Sequence, residues 1–268
     1  MIMNFLQKFK KVRHRFQFLT WPLDIYNESD ELHCDDFCIQ GKTYKKPKYP
    51  IRAMTYWWVS NVIREEITRL NRPLTIVDVG CERGLLKRFA TPHIEKNYWI
   101  GLDLRKDLMI KSANYNEFHL CDFNQKLPLP DNTVDIVACL NVIEHLQEYE
   151  FAMSELLRIL RPNGMALISH PVYPKFIAKI RERQYATQFE KGNRKYGEHA
   201  AAFWPAKSYN MAKQIGFNVE FMTSTYFLSW STGPLENYAL WIRANQLWGA
   251  FFPALGQELC LQLRLESK

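Results

Sequence analysis

With 268 residues, 47% of them hydrophobic and 14% aromatic, the chain can bury one large core, which excludes a disordered, collagen-like or low-complexity protein. Its net charge of +7 points to an anionic partner or surface and says nothing about fold. No apolar run reaches the roughly 18 residues of a membrane span and no apolar signal segment follows the N-terminal cations. Six scattered cysteines fit a reducing cytoplasm, which is the expected location.

In chain order, residues 2–19 space Ile2, Phe5, Leu6, Phe9, Val12, Phe16 and Leu19 as a helix would, with Lys8, Lys10, Lys11, Arg13 and Arg15 mostly between them. Such a basic amphipathic helix suits either peripheral contact with an anionic membrane face through residues 1–20 or packing on its own domain. An acidic stretch from Asp24 to Asp36 and the basic Lys42–Lys48 read as loop or lid. His33-Cys34-x-x-x-Cys38 lacks the second pair of soft ligands that a zinc site needs. Residues 52–70 are helical again and stop before Asn71-Arg72-Pro73. This divides the chain into an N-terminal helical extension or lid, 1–70, and a main domain, 71–268.

From Leu74 strands and helices alternate. Apolar runs at 74–79, 98–103, 134–139 and 164–169 predict strands, separated by helical stretches such as 143–160. Alternation of this kind predicts a mainly parallel sheet covered by helices. Residues 171–200 form an insertion with seven basic residues against three acidic ones. A helix over about 206–215 ends at Gly216, and Phe217–Phe221 returns as a strand. After an aromatic segment (227–253), Leu259–Leu265 alternates as an edge strand would.

The segment Thr75-Ile-Val-Asp-Val-Gly-Cys-Glu-Arg-Gly-Leu-Leu86 puts an acid near the end of a strand and follows it with two glycines and a helix. In open α/β sheets ligands bind beyond the carboxyl ends of the strands, where glycine lets backbone approach closely. Asp103 ends the next strand, where a carboxylate can accept both hydroxyls of a ribose. Then come Cys121-Asp-Phe123, Leu127-Pro-Leu-Pro-Asp131, Asp135–Leu146 with its Glu144-His145-Leu146 step, and Leu156–Ser169. Over about residues 74–220 this ordered series resembles the class I S-adenosylmethionine-dependent methyltransferases, in the broad small-molecule and glycan subgroup with a Glu-His-Leu step after strand 4. The resemblance implies a seven-stranded, Rossmann-like, doubly wound sheet, with S-adenosylmethionine as cofactor. It implies that Asp78 and the backbone at Gly80, Cys81 and Gly84 hold the aminoacyl end and that Asp103, with Leu104 beside it, takes the ribose. Asp122 would accept from the adenine amine with Phe123 against the ring, and Leu140 and Asn141 would line the methionine portion. The pattern has glycine where this chain has Glu82. A side chain pointing to solvent is the expected accommodation.

Three histidines, His145, His170 and His199, lie where the resembling fold opens its substrate cleft; His199 and then His170 are the candidate general bases for an acceptor that must lose a proton. No metal is expected, because a carboxylate set around Glu144-His145 would need an acid where Asn141 stands. The expected reaction is O-methylation of a small-molecule, glycan or lipid-linked acceptor, the insertion's cations suiting an acidic or phosphorylated one. Alternatives are a lipid or quinone methyltransferase at the membrane surface and a cofactor-binding scaffold without chemistry. With no RNA-binding module or dense basic stripe, nucleic acid is not an expected partner.

Overall fold

The computed structural model describes residues 51–265 except 83, 91–95, 106–114, 191, 193–196, 226–234 and 236–237, together with Leu19 and a short antiparallel ladder pairing 38–39 with 42–43. The amphipathic segment 2–19 apart from Leu19, the acidic stretch and the His33–Cys34 pair lie outside the described residues.

Seven strands form one sheet: β1 (Thr75–Val79), β2 (Tyr98–Asp103), β3 (Glu117–Leu120), β4 (Val134–Leu140), β5 (Leu160–Pro171), β6 (Phe217–Ser224) and β7 (Glu258–Leu265). Their order is β3-β2-β1-β4-β5-β7-β6, and only β7 runs against the rest. The sheet is thus doubly wound, mainly parallel and Rossmann-like. Consecutive strands step outward from β1 to β3, and the chain then returns to lay β4 on the other side of β1. That reversal opens a crevice beyond the carboxyl ends of β1 and β4.

Because both faces are covered, β4 is buried at every residue, as a central parallel strand requires. One face carries Val77, Val79, Val137 and Ile168 under α3 (Tyr149–Ile159) and α5 (Pro205–Ile215). The other carries Ile76, Trp99, Ile136 and Leu167 under α1 (Ile51–Leu70). Met54, Trp57, Trp58, Val62 and Ile63 repeat at helical spacing on α1 and are all buried there. The stripe continues into Glu66, which stays buried because Arg264 of β7 reaches its carboxylate at 2.7 Å and Arg69 closes on it from the next turn. Asn71 in the left-handed region (φ 48°) ends α1. At the far edge α6 (Ala239–Phe251) meets β6 so closely that a Cβ on Gly249 would sit 1.6 Å from the Ser224 carbonyl oxygen.

Two expectations are corrected. Leu259–Leu265 is not an edge strand but lies between β5 and β6. Its alternation separates two buried environments: Leu259, Leu261 and Leu263 enter one core, while Gln262 and Arg264 enter a polar network around Glu220 and Glu66. Nor is 143–160 one helix. Ile143–His145 is an isolated 3-10 turn, Leu146 is extended with its side chain buried, and α3 begins only at Tyr149. The strand β3, which the sequence does not announce, is short and half-exposed at the sheet edge.

Candidate functional site

The crevice is built by the turn after β1. Gly80 and Gly84 both have φ 71°, and a Cβ on Gly80 would lie 2.4 Å from a methyl of Val142. Only glycine fits there, so the loop backbone can pass close under the end of β4. The N–H groups of Gly80 and Cys81 donate to the Leu102 carbonyl at 2.8 and 3.1 Å. Asp103, buried at the end of β2, accepts from Glu82 N–H on one carboxylate oxygen and from Arg105 N–H on the other, at 2.9 and 3.0 Å. The carboxylate therefore pins the loop, and each oxygen keeps lone-pair capacity for a hydroxyl. Glu82, standing in the glycine position of the pattern, adopts φ 41° and is exposed.

Asp78 is buried and accepts a hydrogen bond from the Tyr115 hydroxyl at 2.5 Å. Burial pushes its carboxyl up to about 7, reinforced by the charges of Asp103 and Glu82 and opposed by Tyr115. Tyr115 is a site residue that sequence reasoning missed. Its ring also fills the space beside Gly84 and Gly101, where an added Cβ would come within 3.2 and 3.1 Å of it. Asp122 receives both the N–H and the side-chain amide of Asn124 on a single oxygen, Oδ1, which leaves Oδ2 to accept. Phe123 is packed into the core below, and Leu104 is exposed beside Asp103.

At the end of β4, Leu140 is buried and Asn141 is exposed with φ 55°, its N–H held by the Ser169 carbonyl. The Asn141 amide donates at 3.3 Å to Glu258, which Thr55 of α1 also reaches at 2.8 Å. Thr55 and Glu258 were illegible in the sequence because they come from opposite ends of the chain. Asp78, Asp103 and Glu258 thus put carboxylates at or near the carboxyl ends of β1 and β2 and the start of the antiparallel β7. A ligand carrying an ammonium and a sulfonium charge fits such surroundings, and the glycine cradle fits its close approach.

Across β4, the backbone carbonyl of Glu144 accepts from the N–H groups of Ala200 and Ala201, at 2.6 and 3.0 Å. That clasp brings His199 to His145, with ring centroids 5.0 Å apart. Tyr185 stands edge-on to His199 at 6.2 Å, and Arg181 lies over the Tyr173 ring at 4.4 Å. Burial, then the neighbouring His145 and Arg181, hold His199 below the usual imidazole range, so it is neutral near pH 7. Glu144 is 2% exposed, and burial pushes its carboxyl up to about 8. His170 is fully buried against Phe203 at 4.5 Å and is depressed by burial to about 4. Of the two candidate bases, only His199 retains exposed surface.

Residues 77–168 match the family model described as a methyltransferase domain. An uncharacterized methyltransferase of Schizosaccharomyces pombe is 34% identical over 122 residues, covering 37% of this chain and 43% of that protein. A ubiquinone biosynthesis O-methyltransferase of Rickettsia conorii is 31% identical over 103 residues, covering 36% of this chain and 34% of that protein. The chain therefore spans less than half the length of either relative. A solved S-adenosylmethionine dependent methyltransferase from Mesorhizobium loti has the same fold, with a TM-score of 0.54 at 17% identity over 80% of this chain and 99% of that one. The fold is thus the Rossmann-like α/β fold of solved S-adenosylmethionine-dependent methyltransferases, and residues 77–168 match a methyltransferase domain. No helix among the described residues is long and apolar enough to cross a membrane.

Proposed function

We propose that the chain methylates an oxygen of a small-molecule or glycan-type acceptor. The observation that carries this reading is the clasp of Ala200 and Ala201 on Glu144, which delivers a half-exposed, neutral His199 beside the end of β4. S-adenosylmethionine supplies an electrophilic methyl group on a sulfonium, and displacement there needs an acceptor held in line. Asp103 and Leu104 bind the ribose, Asp122 and Phe123 bound the adenine, and Asp78 with Gly80, Cys81 and Gly84 holds the aminoacyl end. Leu140 and Asn141 line the methionine portion. His199 takes the acceptor's proton, while His170 supports the Phe203 wall behind it. The O-methyltransferase among the relatives supports oxygen as the acceptor atom.

Calorimetric titration with S-adenosylmethionine and S-adenosylhomocysteine tests the reading. Wild type should bind both one-to-one, and Asp103→Ala should weaken binding by tenfold or more, because two hydroxyl partners and the loop anchor go together. Absence of binding by folded wild type would overturn it.

A second reading, a lipid or quinone acceptor at a membrane surface, draws on α4 (Lys175–Glu190). There Phe176 and Ile180 are 68% and 53% exposed among Lys175, Lys179 and Arg183. The ubiquinone name of one relative points the same way. Co-sedimentation with anionic vesicles, lost when Phe176 and Ile180 are replaced by Ser, would favour it over a soluble acceptor.

A further inference from the structure

Arg181 of α4 is held in place without an acid. Its guanidinium lies over the Tyr173 ring at 4.4 Å, and Nη1 donates to the Tyr185 hydroxyl at 3.3 Å. Stacking on a ring occupies a face of the guanidinium and leaves its N–H edge available. The groups that act on its charge are Tyr185 and Tyr173, with no carboxylate among the described residues. Cations on the helices around it are neutralised instead. Lys207 of α5 takes Glu182, the acid next to Arg181 in sequence, at 2.5 Å, and Arg158 of α3 reaches Glu155 and Asp131 at 2.7 and 2.6 Å. The Arg181 plane is nevertheless fixed from two sides, because the Tyr173 N–H is anchored to the Phe203 carbonyl at 2.9 Å and the Tyr173 and Tyr185 hydroxyls are hydrogen-bonded to one another.

This half-buried cation faces the acceptor side of the site. Tyr185 stands edge-on to the His199 ring, and the charge of Arg181 is one of the influences that hold His199 low. Glu144, whose charge would reach the same wall at Tyr173, is held at about 8 by burial and is mostly protonated near pH 7, so it does not oppose an incoming anion. We propose that Arg181, braced by Tyr173 and Tyr185, binds an oxyanion of the acceptor, a carboxylate or a phosphate monoester. The inference rests on the methyl-transfer reading: the oxyanion lies on Arg181 and the hydroxyl to be methylated lies at His199, on either side of the Tyr185 ring. A guanidinium offers parallel N–H groups that match either oxyanion, and a pre-oriented one loses little freedom on binding. Acceptors of this class are hydroxylated carboxylic acids and sugar phosphates.

The test titrates the full chain by calorimetry, with and without S-adenosylhomocysteine, using benzoate, phenyl phosphate and benzyl alcohol, which share a ring and differ in charge. At least one anion should bind tenfold or more tighter than the alcohol; benzoate in that place assigns a carboxylate, phenyl phosphate a phosphate. Arg181→Gln should abolish the preference and Arg181→Lys should retain part of it, with melting curves showing that both variants are folded. In Arg181→Gln the His199 titration midpoint, followed by NMR, should rise. Results that overturn the site are no saturable binding of either anion, a preference that survives in Arg181→Gln, or a His199 midpoint unmoved by that substitution. S-adenosylmethionine titration of the same sample separates the two readings: cofactor binding without anion preference sinks this site alone, and Arg181-dependent anion binding without cofactor binding sinks the methyl-transfer reading alone.

Discussion

At Glu82 a charged side chain occupies a left-handed backbone position, φ 41°, that glycine would take without strain. A non-glycine residue in that region costs on the order of 1 kcal/mol. Glu82→Gly should therefore stabilise the fold by about 1 kcal/mol in urea unfolding, less a few tenths for the added freedom of the unfolded chain. A destabilised variant would mean that the Glu82 side chain contributes more than its backbone costs. Asp78 makes a different prediction, since its carboxyl lies at about 7 when folded against 3.8 as an ordinary side chain. The folded chain holds the proton between those values, so this contribution is complete below about pH 4 and is lost as pH rises through 7. The loss is on the order of 4 kcal/mol. Unfolding free energies at pH 5 and pH 8 should show wild type losing about 2 to 3 kcal/mol more than Asp78→Asn, the rest of the loss lying below pH 5. An ammonium group paired with Asp78 favours the ionised form, so cofactor affinity should rise toward pH 8 in wild type and stay flat in the variant.

At the scale of elements, β7 shows how one period-2 pattern serves two different neighbours. Its leucines pack on the α3 and α5 side, while Arg264 spends its guanidinium on Glu220 and Glu66 and on the Asn163 carbonyl. Arg264→Met should cost about 3 to 5 kcal/mol, because Glu66 would remain buried with only Arg69 in partial compensation. Arg264→Met with Glu66→Leu should recover much of that loss; a double variant no better than the single would show that packing, not charge, is at stake. Segmentation of 143–160 follows a similar logic. An apolar helical period was legible there, but the buried Leu146 in an extended conformation and the clasp on Glu144 interrupt it. The period alone carries no sign of those tertiary contacts.

For the whole molecule, α1 decides what can fold. Met54, Trp57, Trp58, Val59, Val62 and Ile63 are six buried side chains covering one face of the sheet. At roughly 2 kcal/mol each they contribute on the order of 12 kcal/mol, comparable with the 5–15 kcal/mol net stability of a typical domain. A chain of residues 71–268 should therefore lack a cooperative thermal transition and bind a hydrophobic dye; a sharp transition would show that the sheet manages without α1.

From sequence alone came the strands carrying Asp78, Asp103, Cys139 and Ser169, the glycine turn and the left-handed stop at Gly216. These are local: a strand period, a forced positive φ or a carboxylate at a strand end is written within a few residues. Tertiary structure alone decided that β7 enters the sheet interior, that Tyr115 caps Asp78, that Thr55 and Glu258 meet at Asn141, and that His199 joins Glu144 and His145. Each of these joins residues far apart in the chain, and their partners are chosen by which surfaces must be buried together, a condition that no local window of sequence contains.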